Sequence, residues 1–396
     1  MTLLKFILPL LIRFIVASPG ENASREININ WHCDNPGSVL ELTFASDTDF
    51  SEARTISPQE KLWSYREGDA LMQQPRYVCT AELRDLKRAR SYIFRIKDGD
   101  EVSSVHSFST ASGAQKWQFL CFVDFQHSFN KLSHSVINNT IGIAPKAPLA
   151  ICSGDMTDYG AKEESLRWLW GPEPFRDLVF AATPGDHEYW GFSNTKKILQ
   201  MPAPTSYNVL FDNPKNGTES CLNSNYYFYW NNILFVGLDF SDSNTTSCDK
   251  FRDEVQWLRD VIKPLKGTYR YLVVLGHKSL YGSYTTDSGV GKYIRPVFAP
   301  VFKELGVDMV LGGHDHMYSR TKSIDGTYYL DLGSSGDKAR VPDEGLYKDG
   351  LHETVIDLKT SGQSLGAVVS VTRKKMSVNV YDLSGEVVDS FEIRSK

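Results

Sequence analysis

Asp124, Asp155, Asp186, His277, His314 and His316 are the residues of this chain best suited to chemistry, because each stands where an apolar run stops. The runs Phe119–Val123, Leu149–Ser153, Phe180–Pro184, Tyr271–Gly276 and Val307–Gly313 end in Asp124, Gly154-Asp155, Gly185-Asp186-His187-Glu188, His277 and His314-Asp315-His316. In α/β proteins ligands bind at the carboxyl ends of strands, where the loops are free to vary. Neighbouring strands would therefore bring three carboxylates and, with His187, four imidazoles to one rim. Burying three carboxylates together is costly unless cations neutralise them. A mixed Asp/His set suits zinc, iron or manganese, whereas calcium asks for oxygen ligands alone. One carboxylate, such as Asp155, can bridge two ions about 3.5–4 Å apart, a spacing suited to phosphoryl transfer. The glycines before Asp155, Asp186 and His314 are expected to let the backbone turn sharply beside the ions. A single Gly-Asp is usually a turn and a single His usually a core or surface residue. The ordered set is what points to a binuclear metal site.

The elements that must hold these residues are continuous apolar strands alternating with helical stretches, to which Ile233–Leu238 also belongs. Between two strands, Phe251, Val255, Leu258 and Ile262 recur at helical spacing. Strands of this kind are covered on both faces. From Tyr328 onward alternation returns, in Val369–Val371, Ser377–Tyr381 and Val387–Ile393. Residues 115–396 are thus predicted to form an α/β sandwich with two packed sheets. Before Ser112 the chain carries only short alternating runs, among them Ile27–Trp31, Val39–Phe44, Arg76–Leu83, Ser91–Ile96 and Val105–Ser109. Those predict a small all-β sandwich over residues 24–112.

The chain has 396 residues, 43 Lys+Arg against 48 Asp+Glu and a formal charge of −5, with 41% hydrophobic residues. This balance argues against disorder and coiled coil, and a mildly acidic total without a basic run argues against a nucleic-acid partner. Lys5, the apolar stretch Phe6–Val16 and the small residues Ala17, Ser18 and Gly20 read as a leader over residues 1–18. No second long apolar segment predicts a stable membrane anchor. Six cysteines suit an oxidising compartment, with Cys33/Cys79 and Cys221/Cys248 as candidate disulfides and Cys121 and Cys152 as buried thiols. Four sequons, at Asn22, Asn138, Asn216 and Asn244, are candidate glycosylation sites. The reading is of a protein of the secretory pathway: secreted, lysosomal or vacuolar.

The series Asp124, Gly154-Asp155, Gly185-Asp186-His187-Glu188, Val274-Leu275-Gly276-His277 and Gly313-His314-Asp315-His316 resembles that of the calcineurin-like metallophosphoesterases, within them the purple acid phosphatase branch. Tyr281 and Tyr318 extend the likeness, and Leu86–Tyr92 looks like the tyrosine corner of fibronectin type III domains, with Arg88 where proline is usual. The resemblance implies a four-layer α/β/β/α sandwich behind a fibronectin III-like domain. It implies one metal on Asp124, Asp155 and His316 and a second on Asp155, Asp186, His277 and His314, the ions being iron, zinc or manganese. A metal-bridging hydroxide would attack phosphorus, with His187, oriented by Glu188, binding the phosphate or protonating the leaving oxygen.

Three positions depart from the family pattern. Asp158 stands where the purple enzymes place the iron-binding tyrosine, with Tyr159 one residue late. Gln126 stands where non-purple members carry histidine, and both Gln126 and the following His127 are candidate ligands. Asp186 replaces the family's asparagine, adding a negative charge beside a phosphate dianion. The function expected is a metal-dependent acid phosphatase acting on phosphomonoesters of small molecules or phosphoproteins. The alternatives are a phosphodiesterase or nucleotide pyrophosphatase, with Trp168–Trp170 and Tyr189-Trp190 as a substrate wall, and a secreted binding module whose metal centre has decayed.

Overall fold

Short strands whose side chains alternate between core and surface build the front of the molecule. The computed structural model describes residues 12–67, 70–126, 132–170, 172–192, 198–240, 248–283, 293–348 and 350–395. The front strands are Ile12–Pro19 (β1), Ile27–Cys33 (β2), Val39–Phe44 (β3), Arg54–Ile56 (β4), Gln59–Glu67 (β5), Ala70–Leu83 (β6), Ser91–Asp98 (β7), Glu101–Val102 (β8) and His106–Ser109 (β9). They form two sheets, ordered β1-β2-β6-β5 and β4-β3-β7-β8, with β9 on β7. The tyrosine corner is present: the Lys87 amide donates to Tyr92 Oη at 2.8 Å.

Residues 12–19, largely within the stretch read as a leader, form β1, antiparallel to β2. Ile15 and Ala17 enter the front-domain core, while Phe14 and Val16 pack into the core of the larger domain. A strand buried on both sides is as apolar as a leader's central stretch, and composition cannot separate the two. The front sheets include residues ahead of residue 24.

The larger domain contributes Trp117–Phe122 (β10), Leu149–Ser153 (β11), Val179–Thr183 (β12) and the hairpin Trp190–Phe192 (β13) and Ile198–Gln200 (β14). There follow Tyr226–Trp230 (β15), Ile233–Gly237 (β16), Tyr271–Lys278 (β17), Met309–Gly313 (β18), Tyr318–Thr321 (β19), Tyr328–Asp331 (β20) and His352–Ile356 (β21). Gly366–Val371 (β22), Lys375–Tyr381 (β23) and Val387–Arg394 (β24) complete it. One sheet runs β12-β11-β10-β22-β23-β24 and the other β15-β16-β17-β18-β20-β19-β21. Phe119, Cys121 and Ile151 of the first meet Phe228, Phe235, Val273 and Leu275 of the second in a shared core. The first sheet's outer face packs on helix Leu132–Ile143 and Trp170, the second's on helices Cys248–Trp257 and Arg295–Leu305. This is the expected α/β/β/α sandwich, and it puts the carboxyl ends of the parallel strands β10, β11, β12, β17 and β18 on one rim.

The two domains are joined through buried polar groups. On one face of β2, Asn28 Nδ2 donates to Asp212 O at 2.7 Å, Asn30 Nδ2 to Val209 O at 2.7 Å and His32 Nε2 to Val209 O at 2.7 Å. Arg76 is fully buried between Trp63 and Phe14, donating to His32 Nδ1 at 2.8 Å and Gln73 Oε1 at 2.8 Å. Gln73 Nε2 in turn donates to Ala161 O at 3.0 Å and Ser206 Oγ at 2.7 Å. Arg76→Met keeps the volume but strands two buried acceptors. It should cost about 2–3 kcal/mol in chemical denaturation, whereas substitution of the exposed Arg88 should cost almost nothing.

Among the described residues no disulfide is formed. Cys33 and Cys79 are buried free thiols on neighbouring strands. In the β2/β6 register Cys33 faces Tyr77 and Cys79 faces Trp31, so the two cysteines are diagonal rather than opposite. Cys221 is likewise a free buried thiol, and the Cys248 side chain lies outside the described residues. Of the sequon asparagines Asn22 and Asn138 are exposed, Asn216 is half-buried and Asn244 lies outside the described residues.

Candidate metal centre

The six predicted ligands come together as two groups with Asp155 in both. Asp155, Asp186, His277 and His314 offer ligand atoms within 4.8 Å of one another, and so do Asp124, Asp155 and His316. His277 Nε2 lies 3.2 Å from Asp155 Oδ2 and 3.1 Å from Asp186 Oδ1, and His314 Nδ1 lies 2.8 Å from Asp186 Oδ1. His316 Nδ1 is 3.5 Å from Asp124 Oδ1. Behind this set, the Ser153 carbonyl accepts from His277 Nδ1 at 2.8 Å, which fixes the tautomer and aims Nε2 inward. The His314 amide donates to Asp124 Oδ2 at 3.0 Å and the His187 amide to Asp155 Oδ1 at 3.0 Å.

Asp124, Asp155, His314 and His316 all have left-handed backbones, with φ of 53°, 53°, 76° and 56°. Four non-glycine residues in this region at one site mark strain held by the surrounding fold. The glycines do not all serve as sharp turns. Gly154 does, with φ of 90°. Gly185 is needed instead because Asp155 crowds it, so that any Cβ would collide with that residue's carboxylate and amide.

The donor set fits divalent or trivalent cations. Burial pushes Asp124 well above the usual carboxylate range. Burial would depress His277, but Asp155 and Asp186 outweigh it and draw the imidazole well above its ordinary value. Gln126 Nε2 points at Asp155 Oδ2 (2.9 Å) and His316 Nε2 (3.2 Å), while its buried Oε1 has no hydrogen-bond partner. Turning the amide by 180° presents that oxygen to the same place, so Gln126 is placed to act as a ligand. His127 lies outside the described residues.

Glu188 takes a part other than the expected one. The carbonyl of Asp158, not Glu188, accepts from His187 Nδ1, at 2.8 Å, and the His187 ring stacks on Trp190 at 3.8 Å between centroids. Glu188 Oε2 accepts the Asp155 and Gly185 amides at 2.9 and 2.5 Å. Its Oε1 accepts the Met156 and Thr157 amides at 2.8 and 3.1 Å. Glu188 therefore clamps the two loops carrying Asp155 and Asp186. Burial and the Asp155 charge push its carboxyl up to about 7, against the pull of the amide donors and His277.

The remaining candidates sort by their surroundings. Tyr159 packs on Trp190 and under Lys162. Tyr318 donates to Asp389, and Tyr281 packs at a tilt against Tyr329. Trp170 is core, and Tyr189 is buried with its hydroxyl on Asp239 at 2.6 Å, leaving Trp168 and Trp190 as the accessible aromatics of the proposed wall.

Two features were missed from sequence. Lys338, in the turn-rich stretch after β20, puts Nζ 3.2 Å from His187 Nε2. Asp239, just past β16, is buried beside Glu254, whose Oε1 accepts the Asp239 amide at 3.0 Å. A strand-end carboxylate was the signal that could have found Asp239. Burial lifts Glu254 to about 8, opposed by Lys250 and aided by Asp239. The folded protein then holds a proton that the unfolded chain releases near its ordinary 4.5. This contribution is present below about 4.5 and is lost as pH rises toward 8, roughly 3 kcal/mol by pH 7. Glu254→Gln should flatten that fall in urea titrations between about pH 4.5 and 8; an unchanged slope would refute the assignment.

Comparison with known proteins agrees with this geometry. Residues 119–318 match the family model of the calcineurin-like phosphoesterases, and residues 12–110 that of the purple acid phosphatase N-terminal domain. A purple acid phosphatase of Glycine max is 30% identical over 78% of this chain and 66% of its own length. Purple acid phosphatase 18 of Arabidopsis thaliana is 29% identical over 33% of this chain, a match spanning 31% of that relative. Among solved structures, purple acid phosphatase PPD1 from yellow lupin (Lupinus luteus) seeds superposes with a TM-score of 0.73 at 14% identity, over 98% of this chain and 75% of that one. PhoD does so with 0.65 at 13% identity, over 95% and 92%. With a shared-aspartate ligand set on this sandwich and a matching model over half its length, the chain belongs to the calcineurin-like phosphoesterase family and carries a purple acid phosphatase N-terminal domain in front.

Proposed function

We propose that the protein is a metal-dependent phosphatase that hydrolyses phosphomonoesters, with an acid optimum. The observation that carries this is the membership of Asp155 in both ligand groups. Two cations held there would lower the pKa of the attacking water and neutralise the phosphoryl oxygens. Asp124, Asp155 and His316, with Gln126, would hold one; Asp155, Asp186, His277 and His314 the other. His187 keeps Nδ1 on the Asp158 carbonyl and so presents Nε2 to the substrate, where the ring protonated on both nitrogens, a form that an acid medium favours, can pass a proton to the leaving oxygen. Burial favours its neutral form. The cluster opens to solvent at Asp186 and His314, whose side chains are 14% and 19% exposed while those of Asp124, Asp155, His277 and His316 are at most 1% exposed. The negative charge of Asp186 at that opening disfavours a dianion, which is the reason for the acid preference.

The exposed sequons at Asn22 and Asn138 support residence in the secretory pathway, lysosome or vacuole; no helix among the described residues is long and apolar enough to cross a membrane. Elemental analysis together with hydrolysis of chromogenic mono- and diesters between about pH 4 and 8 tests the reading. Two metals with monoester turnover support it. Diester preference, or metal without turnover, overturns it. Because Tyr159 is directed to Trp190, the metal-loaded protein should be colourless even with iron; a visible charge-transfer band would contradict this placement.

A further inference from the structure

Lys338 sits where the cluster meets solvent. Its hydrogen-bond partner among the described residues is His187 Nε2 at 3.2 Å, and no carboxylate there takes its charge. Since His187 Nδ1 donates to Asp158 O, Nε2 is the acceptor and the ammonium the donor. His187 Nε2 is itself 3.8 Å from Asp155 Oδ2, the carboxylate common to both ligand groups. Ammonium, imidazole and shared aspartate therefore follow one another from the opening inward.

The segment carrying Lys338 is fastened on both sides. The Ser335 amide donates to Val123 O at 2.9 Å and Ser334 Oγ to Asp124 O at 3.2 Å. Gly336 lies against the carbonyls of Asp124, Phe125 and Gln126, so closely that a Cβ would come 2.8 Å from Gln126 O. On the other side, the Arg340 amide donates to His316 O at 3.0 Å. The stretch 337–339 thus spans from the Asp124 loop to the His314–His316 turn. A lysine on so short and doubly anchored a bridge is held at the opening rather than sweeping past it. A cation so placed, near the Asp124 charge but in no ion pair with a carboxylate of the described residues, suits an anion that sits on the metal pair and reaches the opening.

We propose that Lys338 binds the non-reacting oxygens of the substrate's phosphoryl group and offsets the negative charge that Asp186 brings to the same opening. The assignment rests on the phosphatase reading and adds to it a determinant of affinity for phosphate dianions. Inorganic phosphate, the product common to all phosphomonoesters, is the probe. Its affinity for the metal-loaded protein is measured by calorimetry in wild type, Lys338→Met, Lys338→Arg, Asp186→Asn and the double variant Lys338→Met/Asp186→Asn. Lys338→Met should weaken phosphate binding about 10- to 100-fold with metal content unchanged, as loss of a charge-assisted hydrogen bond predicts. The same variant should raise KM more than it lowers kcat. Lys338→Arg should recover most of the affinity, because it restores the charge. In the Asp186→Asn background the loss should be smaller, since less charge is left to offset. Phosphate affinity in Lys338→Met within twofold of a tightly binding wild type would overturn this assignment and leave the phosphatase reading standing. A metal-loaded wild type that neither binds phosphate nor hydrolyses monoesters would overturn both.

Discussion

Asp155→Ala should purify folded but nearly metal-free, with monoester hydrolysis reduced roughly 10³-fold or more, because several kcal/mol of transition-state stabilisation leave with the ions. Among the described residues no other belongs to both ligand groups, so no other single ligand is expected to empty both positions. Asp155 also accepts the His187 amide at 3.0 Å, so its loss frees the histidine as well. Asp186→Asn is the matched control: it keeps an oxygen at the same reach of His277 and His314 and should retain metal while raising activity or moving its optimum upward. Elemental analysis of both variants decides the matter, and an Asp155→Ala protein with a full complement of metal would sink the shared-ligand assignment. Since protons compete with ions for the Asp and His ligand atoms, metal affinity should also fall as the medium is acidified.

Glu188→Gln should damage the protein in a different manner. The carboxylate accepts four main-chain N–H groups, two on each oxygen, and an amide can accept on one oxygen only. At least two buried donors lose their acceptor and meet an NH₂ group instead, at about 1–3 kcal/mol each. Stability should fall by about 4 kcal/mol in chemical denaturation, and metal should be lost because the loops bearing Asp155 and Asp186 are no longer clamped. A residue that merely oriented His187 would give another result: unchanged stability and metal content with reduced turnover. That outcome would restore the role read from the His187-Glu188 sequence.

The candidate ligands were legible for a simple reason. Each follows an apolar run or a Gly at the end of a parallel strand, so side-chain type and strand polarity together assign both chemistry and place. The front domain was legible from period-two alternation and from the tyrosine of its corner. What went unread had partners outside any local pattern. Lys338 is an isolated lysine in a turn-rich stretch, and only the hydrogen bonds of Ser335 and Arg340 to distant loops carry it to His187. Asn28, Asn30 and His32 alternate along β2 as a solvated face does, yet they meet the carbonyls of residues 209–212.

By itself the order of residues determined the chemistry: which groups can ligate, that cations must accompany them, and which strand ends deliver them. Those properties are local, set by side-chain charge and by the two periodicities of the backbone. Tertiary structure alone decided that β1 pairs into the front sheets, that Cys33 and Cys79 lie diagonally, that Glu188 clamps loops, and that Lys338 reaches His187. Each of these depends on register or on contact between remote segments. A shift of one residue in a strand, or of one turn in a loop, changes the partner without changing the sequence nearby.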